Sequence, residues 1–417
     1  MKRFVILTAG LACAAVPLSA SASGLIAPFS LESAQVMPKG VRSLRMVGLT
    51  TEISDRFDGG GNIVSLASDL NRGVTVSDIL KTQPAGFDRE QLEGGLAAMG
   101  LTQDQLIGVT LGAANARVTN SAPTLVYGLT EKITVAVAVP IVYSNLNMSS
   151  GWVANSTMQG LVDQASKEGM YGKIASFQTK LQNVVATKLQ ALGYEPLHSE
   201  THTDLGDILL VSKFQVLKKD RFAVSVSPRV SLPTGRQVDP NKVVDLAPGD
   251  GQWDLGVTTA ADFIYSNRLT LTAAAGYTYQ FASTKTKRIP NSWDESLSSD
   301  VDTGVTQKFG DTMGSSLALR FLVAQGWTLG TAYSYQYKLP DAYSGTKYSG
   351  ERYGYLAHDS QQRLQAAQAS VSYTTLPLFL AKKFPMPLEA TLSFSGILAA
   401  QNTALANFTN LELVSFF

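Results

Sequence analysis

The chain has 417 residues, with 34 Lys and Arg against 33 Asp and Glu, a formal net charge of +1. That balance gives no electrostatic case for a nucleic-acid partner or a strongly charged substrate. The one cysteine, Cys13, lies in the first twenty residues, which leaves the rest of the chain without disulfides or thiolate metal ligands.

Met1-Lys2-Arg3 is basic, Phe4 to Val16 is apolar, and Ala20-Ser21-Ala22 is a small-residue cleavage site. This is the three-part pattern of a secretory signal, with the cut expected after Ala22 or Ala20. Gly10-Leu11-Ala12 before Cys13 is a poor lipoprotein box, so an ordinary signal at 1–22 is expected. Lys2 and Arg3 leave with it, so 34 basic residues become 32 against 33 acidic. No other stretch has the ~18 consecutive apolar residues that a membrane helix needs. An exported chain of this kind is periplasmic, secreted or an outer-membrane barrel of a Gram-negative cell.

Residues 23–40 form a lead-in with Pro28 and Pro38, either a periplasmic tail or a small plug entering a barrel. Residues 41–417 read as the barrel. The first strand, Val41 to Ile53, has mixed faces, because Arg45 shares a side with Val47 and Leu49. Ser54 to Gly108 is too polar and Gly-rich to span. It offers two helix starts, Asp88 followed by Gln91 and Thr102 followed by Gln105, and suits a loop packed on itself or a lid. Strands two and three are Val109 to Leu129 and a run from Ile133 through Tyr143, joined at Thr130-Glu131-Lys132. Asn155 to Tyr194 is a second insert. Ile174, Phe177, Leu181, Val184, Val185, Leu189 and Leu192 repeat there at helical spacing, with Gly193 as the stop.

Strand four runs from Thr203 to Leu217 and strand five from Arg221 to Gly235. In the latter Phe222, Val224, Val226, Pro228, Val230 and Leu232 share one side, opposite Ala223, Ser225, Ser227, Arg229 and Ser231. Successive side chains of a strand point to opposite faces. An apolar face opposite small polar residues suits a wall between lipid and a polar lumen. The pattern recurs in Trp253 to Tyr265, Leu269 to Phe281, Leu317 to Val323, Trp327 to Leu339, Gln361 to Thr375, Leu388 to Ala399 and a last strand ending at Phe417. Connections near 131, 219, 267 and 325 are short. Those near 80, 175, 245, 295 and 350 are long, as periplasmic turns and external loops alternate in outer-membrane barrels. The expectation is an all-β fold: a closed antiparallel transmembrane β-barrel of about twelve strands, with helical inserts at 54–108 and 155–194 in the external loops. Closure is needed because an open edge in lipid leaves backbone groups unpaired.

Two resemblances add to this. Leu411, Leu413 and Phe417 resemble the terminal strand by which bacterial outer-membrane proteins engage the barrel-assembly machinery, with Ser415 departing from it. Gly206-Asp207, Pro233-Thr234-Gly235 and Gly249-Asp250-Gly251-Gln252-Trp253-Asp254-Leu255-Gly256 resemble the family called putative MetA-pathway of phenol degradation. Gly128-Leu129-Thr130-Glu131-Lys132 and Gly276-Tyr277-Thr278 fit the same pattern, which covers Val109 to Tyr337. That resemblance implies an outer-membrane barrel passing small apolar or aromatic compounds. The two long inserts depart from it.

The inward positions carry Asp207, Lys213, Arg229, Asp254, Asp262, Arg320, Lys338, Glu389 and Glu412. They suit a neutralised, hydrated lumen or a constriction that screens solutes, with Arg229 and Arg320 as the favoured constriction residues. Small luminal residues on several strands, Ser225, Ser227, Thr270, Thr272, Ser393 and Ser395, would leave room for solute. His198 and His202 flank Glu200 at a metal-like spacing, but Pro196 argues against a helix there, so no metal and no cofactor is expected. The expected partners are outer-membrane lipid and a small solute, with passive uptake as the function. The rival readings are a barrel hydrolase using His198, His202 or His358 as general base, and an adhesive barrel presenting the Tyr/Gly-rich loop at 342–356.

Overall fold

A computed structural model describes residues 33–417 except 69–70, 72, 82–85, 99, 168–183, 294 and 296. The expected signal and residues 23–32 therefore lie outside the described residues. So do Ile174, Phe177 and Leu181 of the second insert.

Twelve antiparallel strands form the wall: β1 (Arg42–Ile53), β2 (Leu106–Thr130), β3 (Ile133–Ala138, then Ile141–Ala154) and β4 (Glu200–Leu205, then Ile208–Lys219). They continue as β5 (Phe222–Leu232), β6 (Asp254–Ile264), β7 (Leu269–Gln280), β8 (Thr312–Ala324), β9 (Trp327–Lys338), β10 (Gln362–Thr374), β11 (Leu388–Gln401) and β12 (Phe408–Phe416). Each pairs with its neighbours in sequence, and β1 pairs with both β2 and β12, so no edge is left open. Arg42 and Phe417 exchange two backbone hydrogen bonds of 2.9 Å at the seam. Among the described residues no helix is long and apolar enough to cross a membrane; the crossing elements are strands.

The outer face is apolar. Leu125, Val137, Leu210, Val257, Leu271, Leu319, Leu329 and Leu392 are all exposed on it. Trp327, Phe222, Tyr265 and Phe417 lie near one rim, and Tyr143, Tyr277, Tyr279 and Phe281 near the other. These are the two aromatic girdles of an outer-membrane barrel, where an amphipathic ring meets both tail and headgroup. At the girdle carrying the termini, the connections at 131–132, 220–221, 265–268 and 325–326 are short. Only 375–387 is longer, around α6 (Leu376–Leu380).

The opposite end carries the inserts. The first holds α1 (Val76–Lys81) and α2 (Phe87–Ala98); the second holds α3 (Ser156–Lys167) and α4 (Val184–Ala191), with α5 (Gly350–Tyr355) in a later loop. The spacing predicts a helix after Thr102, and the structure corrects it. Gln105 does reach back to the Thr102 N–H (3.3 Å), but it closes a turn that leads straight into β2. The alternation from Ile107 onward outweighs the capping pair. The side chains of Asp88 and Gln91 lie outside the described set. Gly193 does end α4, at φ +76, as Tyr194 N–H returns to Leu189 O. A second correction concerns 283–306, which reads as a plain polar loop. It contains the hairpin Ser283–Arg288 and Val301–Lys308, extended by Ala342–Ser344. Thr284-Lys285-Thr286-Lys287 is polar on both faces, so no apolar period announces the strand.

The lead-in turns inward. Gly40 N–H bonds Gly128 O (2.8 Å), and Gly128 N–H bonds Val41 O (2.9 Å). A Cβ at Gly128 would lie 2.0 Å from Pro38 O. G128V is expected to lift the Pro38–Gly40 turn from the wall. Limited proteolysis in detergent should then cut the variant ahead of Val41 where the parent resists.

Candidate functional site

The interior has three levels. Nearest the termini, Ser33 to Met37 threads into the lumen and is held by wall side chains. Asp262 Oδ2 accepts from Ser33 Oγ (2.7 Å) and Ala34 N–H (3.1 Å). Lys213 Nζ donates to Ser33 O (2.6 Å), Gln215 Nε2 to Ala34 O (3.0 Å), and Met37 N–H to Thr134 Oγ1 (2.7 Å). Met37 packs among Val126, Ala136, Val211, Val414 and Phe416. Lys213 and Asp262 are both 0% exposed although they face the lumen, covered by this segment.

Around that segment stands a ring of balanced charge. Arg320 lies 3.8 Å from Asp262 and donates to Thr272 (3.3 Å). Arg45 pairs with Glu412 at 3.0 Å. Glu389 lies within electrostatic reach of Glu412, Arg45 and Arg320. Three cations, counting Lys213, thus meet three carboxylates. Sequence reasoning missed Arg45. The signal was present in its shared face with Val47, which is buried on the same side of β1.

Higher up, Arg229 donates to Thr278 Oγ1 (2.7 Å) and lies flat over Gly256, where a Cβ would come within 2.5 Å of Nε. It faces Asp254. Lys338 sits at the external end, ion-paired with Asp341 and donating to Ser360 O (3.1 Å). The structure therefore gathers Lys213, Asp262, Arg320, Glu389 and Glu412 into one level. It places Arg229 and Asp254 above them and leaves Lys338 in the loops.

At its external end the wall carries a buried apolar cluster. Ile53, Ala116, Val118 and Val142 meet Leu66 and Leu246, which fold in from two loops, and Phe408.

Asp207 lies at the break in β4 and organises the rim. Its Oδ1 accepts Gly235 N–H (2.8 Å), and its Oδ2 takes Asp250 N–H at 3.4 Å. Gly235 and Gly249 touch backbone to backbone, a Cβ on the first falling 2.7 Å from the second's Cα. Three separated motifs thus close one node. Burial pushes the Asp250 carboxyl up to about 6, with Asp207 adding to it against the Gln252 N–H bond. A carboxyl whose folded pKa exceeds its ordinary 3.8 stabilises the fold most below that value. The contribution fades as pH rises through about 6, and its size is at most about 3 kcal/mol. Hydrogen exchange of the 249–252 amides, corrected for intrinsic rate, should be slower at pH 5 than at pH 7, and D250N should remove the difference.

The histidines lie outside the bore. His198 and His202 both meet Glu200, at 3.0 and 2.6 Å, and Lys242 adds 2.5 Å to the same carboxylate. Glu195, His198 and Glu200 place possible ligand atoms within 4.8 Å, but Glu200 is already engaged. His358 pairs with Asp359 (3.2 Å) and stacks near Trp293.

The family model described as putative MetA-pathway of phenol degradation matches residues 102–384, more than half the chain. No curated protein sequence matches. The fold is similar to that of an outer membrane channel from Pseudomonas putida F1, at 11% identity and TM-score 0.50, covering 92% of this chain and 97% of that one. A monoaromatic hydrocarbon channel, CymD, aligns at 9% identity and TM-score 0.36 over 95% and 93% of the two chains. The toluene transporter TbuX of Ralstonia pickettii aligns at 10% and 0.32 over 91% and 89%.

Proposed function

The chain belongs to the family described as putative MetA-pathway of phenol degradation, and from that premise we propose that it is an outer-membrane channel for the passive entry of small apolar or aromatic compounds. The lead-in at 33–38 is its plug. One observation carries the reading: a lipid-facing barrel whose lumen is entered by its own N-terminal segment, held there by wall side chains. Passage of solute requires Ser33–Met37 to leave the charge ring. The family's description, which names phenol, and the channel of similar fold support the solute class and the transport role.

The channel of similar fold favours a conduit over a hydrolase. The apolar girdle is the lipid partner's surface. The β12 terminus, ending on exposed Phe417, is the segment offered to the assembly machinery. The test is reconstitution into planar bilayers and liposomes, with toluene and phenol as solutes. Flux of either supports the reading. Absence of flux from both the whole chain and a chain lacking the lead-in overturns it.

A further inference from the structure

The motif node forms the floor of a cavity of about 330 Å³ at the external rim, near the lower end of the range for small-molecule sites, about 300–1,000 Å³. Its apolar side is Val238, Pro240, Ala247 and Phe309, and its polar side includes Asp250, Lys285, Lys287 and Gln307. The two lysines line it from one strand, two residues apart, beside an irregularity in that strand's pairing with Val301–Lys308.

Lys285 is committed. Its Nζ donates to Gln237 Oε1 (2.7 Å) and Gly251 O (3.1 Å), and Asp250 offsets its charge. It fits only because residue 251 is glycine, at φ +67, where a Cβ would fall 2.0 Å from Nζ. Lys287 is different. It makes no hydrogen bond or ion pair among the described residues. Asp341, the carboxylate within its electrostatic reach, is already bound to Lys338 and to Gly310 N–H (2.8 Å). The cavity thus holds an ammonium with no hydrogen-bonded partner among the described residues, together with Phe309, whose ring centre also lies 5.3 Å from Lys338 Nζ.

We propose that this cavity is a capture site for small aromatic acids, with the ring against Phe309 and the carboxylate on Lys287. The inference rests on the channel reading and narrows it, from aromatic compounds in general to those bearing an anionic group. Burial, with Lys285 alongside, holds the Lys287 ammonium down to about 8, a cost that a bound carboxylate relieves. The volume is enough for a single ring.

Isothermal titration calorimetry on the whole chain in detergent, with benzoate as probe and benzyl alcohol as neutral control, tests this. Benzoate should bind saturably with one site. K287Q should weaken it about tenfold, the loss of one charge-assisted bond, and K287R should retain it. Benzyl alcohol should bind K287Q and the parent alike, and K218Q at the opposite rim should behave as the parent. No saturable benzoate binding, or equal binding by the parent and a folded K287Q, overturns the site. The two readings fail separately. Benzoate binding without flux of any aromatic solute defeats the channel alone, and flux indifferent to K287Q with no benzoate binding defeats the site alone.

Discussion

A chain in which the signal is joined directly to Lys39 conducts steadily in planar bilayers, where the parent stays closed or opens only briefly. The reason is local. Ser33–Met37 lies in the lumen at the height of Lys213 and Asp262, both wholly buried on the luminal face, and on the channel reading it is the removable part of that level. The bonds that hold the segment are few enough to count, so the effect is graded. S33A removes one bond to the wall, from Ser33 Oγ to Asp262, and the bond that Oγ accepts from Gln35 N–H. D262A removes that wall bond, the Ala34 bond and a long one (3.5 Å) from Gln35 Nε2. At roughly 1.5 to 3 kcal/mol for a bond to a charged acceptor, D262A raises the open population on the order of a hundredfold. S33A raises it less, and the deletion leaves no closed state. D262A also leaves Arg320 and Lys213 short of a counter-charge. D262N, which keeps the shape, and a heat-modifiability gel separate unplugging from misfolding. Equal conductance for the parent and the deletion, both folded, ends the plug.

How much of this was legible in the sequence follows from which solvent each side chain meets. Where a strand divides lipid from lumen along its whole length, as in β5, β7 and β9, the alternation predicts its faces and the short turns predict the connection. The readings thin where that division stops. β2 runs on past the membrane to Leu106, so its outer end carries exposed Arg117 beside Glu52. Leu49 looks misplaced beside Arg45 only if the lumen is taken as uniformly polar, and it packs on the apolar cluster of Ile53, Leu66 and Leu246. Asp207 belongs by parity to the wall. The break at Gly206 instead turns it to Gly235 and Asp250, contacts between residues far apart in the chain that no local pattern encodes. The ion-pair partners in the lumen escape for the same reason. Arg320 reads as a lone cation on its own strand, and its carboxylate neighbour, Asp262, comes from β6, across the intervening β7.

The seam itself should be the most sensitive place to disturb. Arg45 on β1 and Glu412 on β12 are each 3% exposed and 3.0 Å apart, on the two strands that close the barrel. A buried pair contributes little net stability, because its attraction is offset by desolvation, but removing one member costs about 3 to 5 kcal/mol. The two single variants should not be equal. E412Q leaves Arg45 within reach of Glu389, which can take over part of its charge. R45M leaves Glu389 and Glu412 facing each other with only Arg320 nearby, so it should be the worse of the two. The double variant R45M/E412L removes both desolvation costs and should recover most of the loss, to within about 1 to 2 kcal/mol of the parent. Urea unfolding in detergent micelles, followed by tryptophan fluorescence, measures all four proteins. Additive losses in the double variant would mean that the two side chains act independently, and that strand pairing alone, without this ion pair, holds the barrel shut.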